Sequence, residues 1–420
     1  MKEFFAKRYR ALGDMAQIFL DEVKMVFTDE GVIIFFLLVP LLYPLLYSWL
    51  YNNEHVEDVP TIVLDESKTS ASRDFIRRCD AAADLKVVGY ANDMEDAKKV
   101  MMKQGCRGII VIPSTFSSDI ARGKQTTVSL FVNMSGMMNY KALLMTLTDV
   151  SLEMGSEIQI QKLGSITTRE DEISTHPIES QAVAMFNPRS GYGSYLLPAV
   201  LMLIIQQTLL LGIGMSAGTA REDNRYEDLV PMSRRYGGMY RIIFGKGFCY
   251  FLIYALMATY LTIVIPRLFH FVQLATLHDL VPILLPYVLA CIFFGMTMSC
   301  LIRHRENVIL VIIFTSVPIL FLSGVSWPGA SISGYWKGLS YLFPSTFGIN
   351  AFVKMNSLGA TLNDVRSEYY YLWAQVAVYF LLACLVYWWQ IRMAHKHVLH
   401  NEKERERRKH ASKFNIFYRH

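Results

Sequence analysis

Residues that could do chemistry are few in this chain, and their spacing excludes most enzymes. Gly245-Lys246-Gly247 lacks the Gly-x-x-x-x-Gly-Lys-Ser/Thr frame, so it offers no loop of backbone N–H groups to cradle a phosphate. There is no His-Glu-x-x-His and no Gly-x-Ser-x-Gly. His395, His397 and His400 have the density of a metal cluster, but charges of alternating sign surround them, and a solvated tail is the better account. Six cysteines show neither Cys-x-x-Cys nor a Cys/His ligand spacing, so no structural metal is expected. The chain is expected to have no catalytic residues, to bind no cofactor and to hydrolyse no ATP by itself.

The polar residues that remain lie within or beside apolar runs. Gln206-Gln207 sits inside one such run, either as an interhelical hydrogen bond or as a polar point on a solute path. Gly214 and Gly218 form a Gly-x-x-x-Gly in the same run, a spacing for close helix packing within the chain or across a dimer interface. Next comes the densely charged stretch Ala220–Ser233, then Tyr240–Lys246. Its alternation of acids and bases suits docking to a protein surface, since lipid would favour bases alone.

The elements that must position these residues are membrane spans. The 420 residues are 53% hydrophobic and 18% charged, with net charge +5 and mean hydropathy +0.28; a soluble domain would carry about 25% charged residues. That balance excludes a disordered chain, a purely soluble enzyme and a nucleic-acid binder. Six uncharged runs approach the roughly 20 residues a bilayer requires: Gly31–Tyr51, Tyr195–Ala217, Phe248–Pro266, Leu280–Ile302, Val308–Ser326 and Tyr369–Ile391. The first holds thirteen Leu, Ile, Val or Phe residues, enough to insert despite Pro40 and Pro44. Thirty residues precede it and no small-residue cleavage site follows, so it is not a signal peptide. The runs carry essentially no ionisable residue, which argues against a proton-coupled antiporter. Lys and Arg number 22 in segments 1–30, 218–247, 303–306 and 392–420, against four in 267–279 and 327–368. By this bias both termini are cytoplasmic.

Residues 52–190 read as a soluble α/β domain on the opposite side. Strands are predicted at Thr61–Asp65, Lys86–Tyr90, Gly108–Ile112 and Thr126–Val132. Helices are predicted at Ser70–Ala83, Met94–Gln104, Pro113–Gly123 and Tyr140 to about Leu163. Its 15 basic and 19 acidic residues leave a charge of −4, which argues against an anion-binding module. Cys79 and Cys106 lie here and would be the pair for a disulfide if the domain is exported. Residues 3–27 place Phe5, Tyr9, Leu12, Phe19, Val23 and Val26 on one helical stripe. Such a helix either lies along the cytoplasmic interface, in contact with lipid, or packs on other cytoplasmic segments. The fold class is thus an α-helical polytopic membrane protein of six transmembrane helices with an inserted extracytoplasmic α/β domain. Its divisions are 1–30, 31–51, 52–190, 191–391 and a basic tail, 392–420.

The charged stretch resembles that of ABC transporter permeases of the type-2 class, the type V exporter fold. Arg221, Glu222, Glu227, Leu229, Pro231, Gly245 and Lys246 match the family pattern, with Asn224-Arg225 replacing the usual Gly-Thr. Ser323–Pro328 and Leu342–Gly348 are similar to the family's outer segment between spans five and six. Ile112-Pro113, Phe116, Asp119 and Gly123 are similar to the periplasmic domain of bacterial members with a large insert after the first span.

The resemblance implies two six-span halves, as a homodimer or a paralogous heterodimer. They are driven by a separate cytoplasmic ABC ATPase that binds ATP-Mg and docks on 220–232 and helix 3–27. It implies an exporter in a bacterial inner membrane, carrying a small or drug-like molecule and working with a periplasmic adaptor and an outer-membrane channel. The alternatives are a lipid or polysaccharide exporter, and a membrane-anchored receptor or assembly factor that binds through 52–190. In stretch 327–368, Pro328, Tyr341, Phe343, Pro344 and Phe347 belong to what the resemblance makes a pair of short re-entrant helices forming an outer gate. An aromatic belt anchoring the sixth span is the competing account.

Overall fold

The computed structural model describes residues 2–52, 56–163, 187, 191–222 and 238–417; for 2–8, 10 and 393–417 only the backbone is described. The chain divides into two compact units, one made of Met1–Asn52 with Ala184–His420 and the other of Asn53–Val183. The first unit begins with helix α1 (Lys2–Val26). Asp29 then caps the start of α2 (Glu30–Leu50), its carboxylate accepting from the backbone N–H groups of Gly31 and Val32 at 3.0 and 3.3 Å. Within α2, residues Ile34–Leu38 widen into a π turn two residues ahead of Pro40. The wider turn relieves the clash a proline ring makes with the carbonyl four residues back.

In the second unit, the strands are β1 (Val59–Asp65), β2 (Leu85–Tyr90), β3 (Gly108–Ile112) and β4 (Ser129–Val132). They alternate with α3 (Ser70–Ala81), α4 (Met94–Gln104), α5 (Phe116–Arg122) and, after β4, the long α6 (Met137–Leu163). The sheet order is β2-β1-β3-β4, with β1 parallel to β2 and β3, and β4 antiparallel to β3. β4 is shorter than the predicted Thr126–Val132 because its pairing runs only from Val111↔Ser129 to Gly108↔Val132.

Alternation along the strands builds two cores. Val59, Val63, Ile110 and Ile112 cluster with Phe75, Phe116, Leu143 and Leu147, which come from α3, α5 and α6. Ile62 and Ile109 cluster instead with Ala97 of α4. Thr69 and Asp93 cap the starts of α3 and α4, and Gly105 ends α4 at φ +68°, a left-handed position that favours glycine. Cys79 is in the first core and Cys106 in the second, both buried as free thiols, so the structure contains no disulfide between them. Burial pushes the Cys79 thiol up to about 12.

The first unit resumes with α7 (Tyr192–Glu222), α8 (Met239–Leu268), α9 (Leu277–Leu301) and α10 (Arg305–Leu322). Two short helices follow, α11 (Gly334–Ser340) and α12 (Pro344–Leu358), and then α13 (Arg366–Phe417). Helices α2, α7, α8, α9, α10 and the first half of α13 are each long and apolar enough to cross a membrane. α7 is buried along most of its length and is the centre of the bundle, whereas α10 leaves most of its apolar surface uncovered. α8 contains a second π turn, Tyr260–Val264, again two residues before a proline, Pro266. The backbone of the basic tail continues α13 as helix to Phe417, so no side-chain arrangement of His395, His397 and His400 enters the description.

Candidate functional site

Charged residues gather where α1, α2, α7, α8 and α10 begin or end. Arg221, in the last turn of α7, donates to the carbonyl of Ser299 at 2.7 Å and to that of Ile302. These are carbonyls at the end of α9, where helical partners run out. Glu222 accepts from the backbone N–H of Arg305 at 2.9 Å, an acid at the positive end of α10, and lies 3.4 Å from His304 Nδ1. The Arg305 guanidinium reaches Asp29 Oδ1 at 3.1 Å, the same oxygen that caps α2. Gly31 leaves room for it, since a Cβ there would fall 1.6 Å from Arg305 Nη2. Arg221 and Glu222, read in sequence as a docking surface, thus spend these contacts tying α7 to α9 and α10 within the chain. Glu227, Leu229 and Pro231 lie outside the described residues.

A second set of contacts fastens α1 to α8. Asp14, Ile18 and Glu22 recur at four-residue intervals on one face of α1. Arg241 donates to Asp14, the Gly245 backbone packs on Ile18, and Lys246 Nζ lies 2.8 Å from Glu22 Oε2. The Tyr250 hydroxyl donates to the other Glu22 oxygen. A Cβ at Gly245 would fall 2.8 Å from Ile18 Cγ2, so glycine permits the close approach. Side-chain exposure is 6% for Lys246 and 3% for Glu22, which makes this a desolvated ion pair.

This arrangement corrects two expectations. The third uncharged run begins at Phe248, but α8 starts at Met239, so an ionisable residue, Lys246, is buried inside a membrane-length helix. The apolar stripe of α1 packs only in its second half: Val26 is buried and Phe19 meets Phe248 at 5.6 Å, while Tyr9 and Leu12 are exposed. Ile18 and Glu22, beside the stripe, are buried as well, because α8 supplies a base and a close glycine to meet them. These contacts pack one face of α1 on α8, and Tyr9, Leu12, Leu20 and Phe27 remain exposed. The signal available in the sequence was the match between acids at i, i+8 in α1 and bases at 241 and 246.

Inside the bundle, Gln206 Oε1 accepts from the backbone N–H of Ser345 at 2.7 Å. It therefore supplies to α12 the N-terminal acceptor that Phe343 cannot. Gln207 is buried and neither of its amide atoms has a partner among the described residues. Gly214 faces Ile302 and Val308, and Gly218 faces the Arg305 backbone. The close approach their spacing predicts is made here within one chain.

Residues 341–343 form a non-helical elbow between α11 and α12. Side chains satisfy three carbonyls at this elbow: Gln375 donates to that of Tyr341 at 2.8 Å, Tyr379 to that of Leu342, and Thr346 to that of Ser340 at 2.7 Å. Such satisfaction is what irregular backbone requires at membrane depth. The Phe347 ring stacks on Tyr371 at 4.8 Å and touches Tyr341 at 5.2 Å, while Phe343 meets Phe294 edge-on at 6.1 Å. Pro344 is buried at the first position of α12. Pro328 sits in the exposed turn before Gly329–Ser331 and shares none of these contacts.

Six membrane-length helices, five of them around the buried α7, make this a multi-pass membrane protein. The family model for ABC-2 family transporter proteins matches residues 31–385, and the chain belongs to that family. It is a membrane protein of an ABC transporter system. The match begins after α1, so Asp14 and Glu22 lie outside it while Arg241 and Lys246 lie within. Comparison with the curated proteins finds no match.

Proposed function

We propose that the chain is the permease subunit of an ATP-driven exporter, moving a small or drug-like molecule out of the cytoplasm or the inner membrane of a bacterium. It pairs with a second permease half, both termini are cytoplasmic, and a separate ABC ATPase supplies the hydrolysis. A periplasmic adaptor and an outer-membrane channel complete the route. The observation that carries this reading is the joint between α1 and α8. Asp14–Arg241, Ile18–Gly245 and Glu22–Lys246 clamp a helix that lies outside the spans onto one that spans, at the end where Arg221, Glu222, Arg305 and Asp29 tie α7, α9, α10 and α2 together. A push on α1 or on the 223–237 segment would therefore reach five membrane helices at once, which is what an ATPase seated there needs. The excess of Lys and Arg in these segments supports their cytoplasmic side. At the other end, the satisfied elbow and the Tyr341, Phe343 and Phe347 rings suit an outer gate.

The test reverses charges in the half-buried pair Asp14–Arg241. Asp14→Arg and Arg241→Asp should each abolish transport-coupled ATPase stimulation in proteoliposomes containing the partner ATPase, and the double reversal should restore it. The purified chain alone should release no phosphate from ATP. Full stimulation in both single variants would remove the joint from coupling.

A further inference from the structure

We propose that the inserted unit holds a binding groove for a single-chain amphipathic anion, an acyl or alkyl chain ending in a carboxylate or sulfonate. The groove has a volume of about 810 Å³ and runs between α3, α5, residues 123–128 and α6. That is the size of a pocket for a small organic molecule. Its floor is apolar: Phe75 and Phe116, edge-on at 5.9 Å, with Ile120, Met154 and Ile158. Lys124 and Lys162 stand on its rim, and Lys162 Nζ is held at the mouth by donating to the Ile120 carbonyl. Thr126, on the same wall, has a buried hydroxyl without a partner among the described residues.

The sign of the groove decides the class of ligand. The 52–190 stretch carries 19 acidic residues and a net charge of −4, yet among the described residues no Asp or Glu lines the groove. A whole-domain count therefore hides a local surface of opposite sign, and the sequence-based exclusion of anions holds for the average surface alone. A long apolar floor with cations at its rim fits a ligand that buries a hydrocarbon chain and leaves its charged head at the edge. Neutral or cationic amphiphiles would leave both lysines without an anionic partner. The groove carries this assignment by itself and does not depend on the transport reading.

The groove also contains the means to close it. α6 presents Ser151, Gly155 and Gln159 along the wall at four-residue steps, and a Cβ at Gly155 would meet nothing within 4 Å. Gly155→Phe therefore starts its side chain in open space on the groove wall and replaces the poorer helix former.

The experiment uses the full chain in lipid nanodiscs with dansylaminoundecanoate as probe, its uncharged carboxamide as control and empty nanodiscs as blank. The carboxylate should bind saturably. Lys124→Gln with Lys162→Gln should weaken it roughly three- to tenfold, the size expected for two exposed ionic contacts, and leave carboxamide binding unchanged. Gly155→Phe should remove the saturable component for both probes while the far-ultraviolet circular dichroism stays that of the parent. Equal affinity for carboxylate and carboxamide, or an unaffected lysine double variant, would overturn the anionic assignment. Unchanged binding in Gly155→Phe would overturn the site.

Discussion

An ion pair in the membrane unit and one in the inserted unit have nearly the same length but are worth different amounts. In the membrane unit, Lys246 and Glu22 meet at 2.8 Å with almost no exposure. In the inserted unit, Arg78 and Glu157 meet at 2.7 Å, 26% and 45% exposed. The first has left water, so each charge depends on its protein partners for the solvation it gave up. The second keeps its water, and its attraction is screened. Distance alone says nothing about the energy. The buried pair specifies where α1 sits on α8; the exposed one joins α3 to α6 and contributes less.

The comparison is broken most severely by unpairing the buried charges. Lys246→Met alone leaves the Glu22 carboxylate buried and should cost about 3–5 kcal/mol, read as a loss of thermal stability of the purified chain in nanodiscs. Adding Glu22→Leu should recover most of that loss, because an apolar pair of similar volume no longer needs solvation. A double variant as unstable as the single would mean that the two residues do not act as a pair. The exposed contact predicts a smaller and pH-dependent effect. Hydrogen bonding from Arg78 holds the Glu157 carboxyl below its ordinary range. At Asp74, burial pushes upward but is outweighed by hydrogen bonds from Arg78 and Arg77, which bring it down. Both folded-state values lie below the unfolded ones, so the contribution is complete above the usual carboxylate range and is lost as pH falls through the lowered values. Amide-exchange protection of α3 and α6 in the full chain should therefore fall below about pH 4, and Arg78→Ala should reduce that pH response without unfolding the unit.

What could be read from the sequence follows the range of the interactions. The helices and strands of the inserted unit are specified by local signals, such as the Thr69 and Asp93 caps and the Gly105 stop, and lie within a few residues of where alternation puts them. The six membrane helices are legible because their signal is composition over about 20 residues. The joint was hidden for the opposite reason. Glu22 and Lys246 are far apart along the chain, each looks like an ordinary charge beside a membrane segment, and only packing removes both from water. Gln206 shows the same limit: its polarity within an apolar run was visible, but its partner, the Ser345 backbone, follows from the fold alone. Tyr9 and Leu12 mislead because a stripe chosen for apolarity alone omits Asp14 and Glu22, the acids that pack α1 on α8 together with Phe19.

The two π turns have a consequence for how these helices can be edited. A π turn is an extra residue absorbed locally, so the segments on either side keep the facing they would have without it. Removing one residue from Ile34–Leu38 should give a continuous α-helix with both flanks still aimed at their neighbours, whereas a deletion at Leu45–Tyr47 would turn everything beyond it by about 100°. The first variant should still insert and purify as a monodisperse species, and the second should not. The surplus residue also gives α2 a way to move without sliding. If the wide turn migrates by one helical turn, only the residues it passes rotate. Phe36, which packs edge-on against Tyr250 and Tyr254, is inside that stretch. A travelling insertion would swing this ring off the tyrosine that holds Glu22 while both ends of the helix stay where they are.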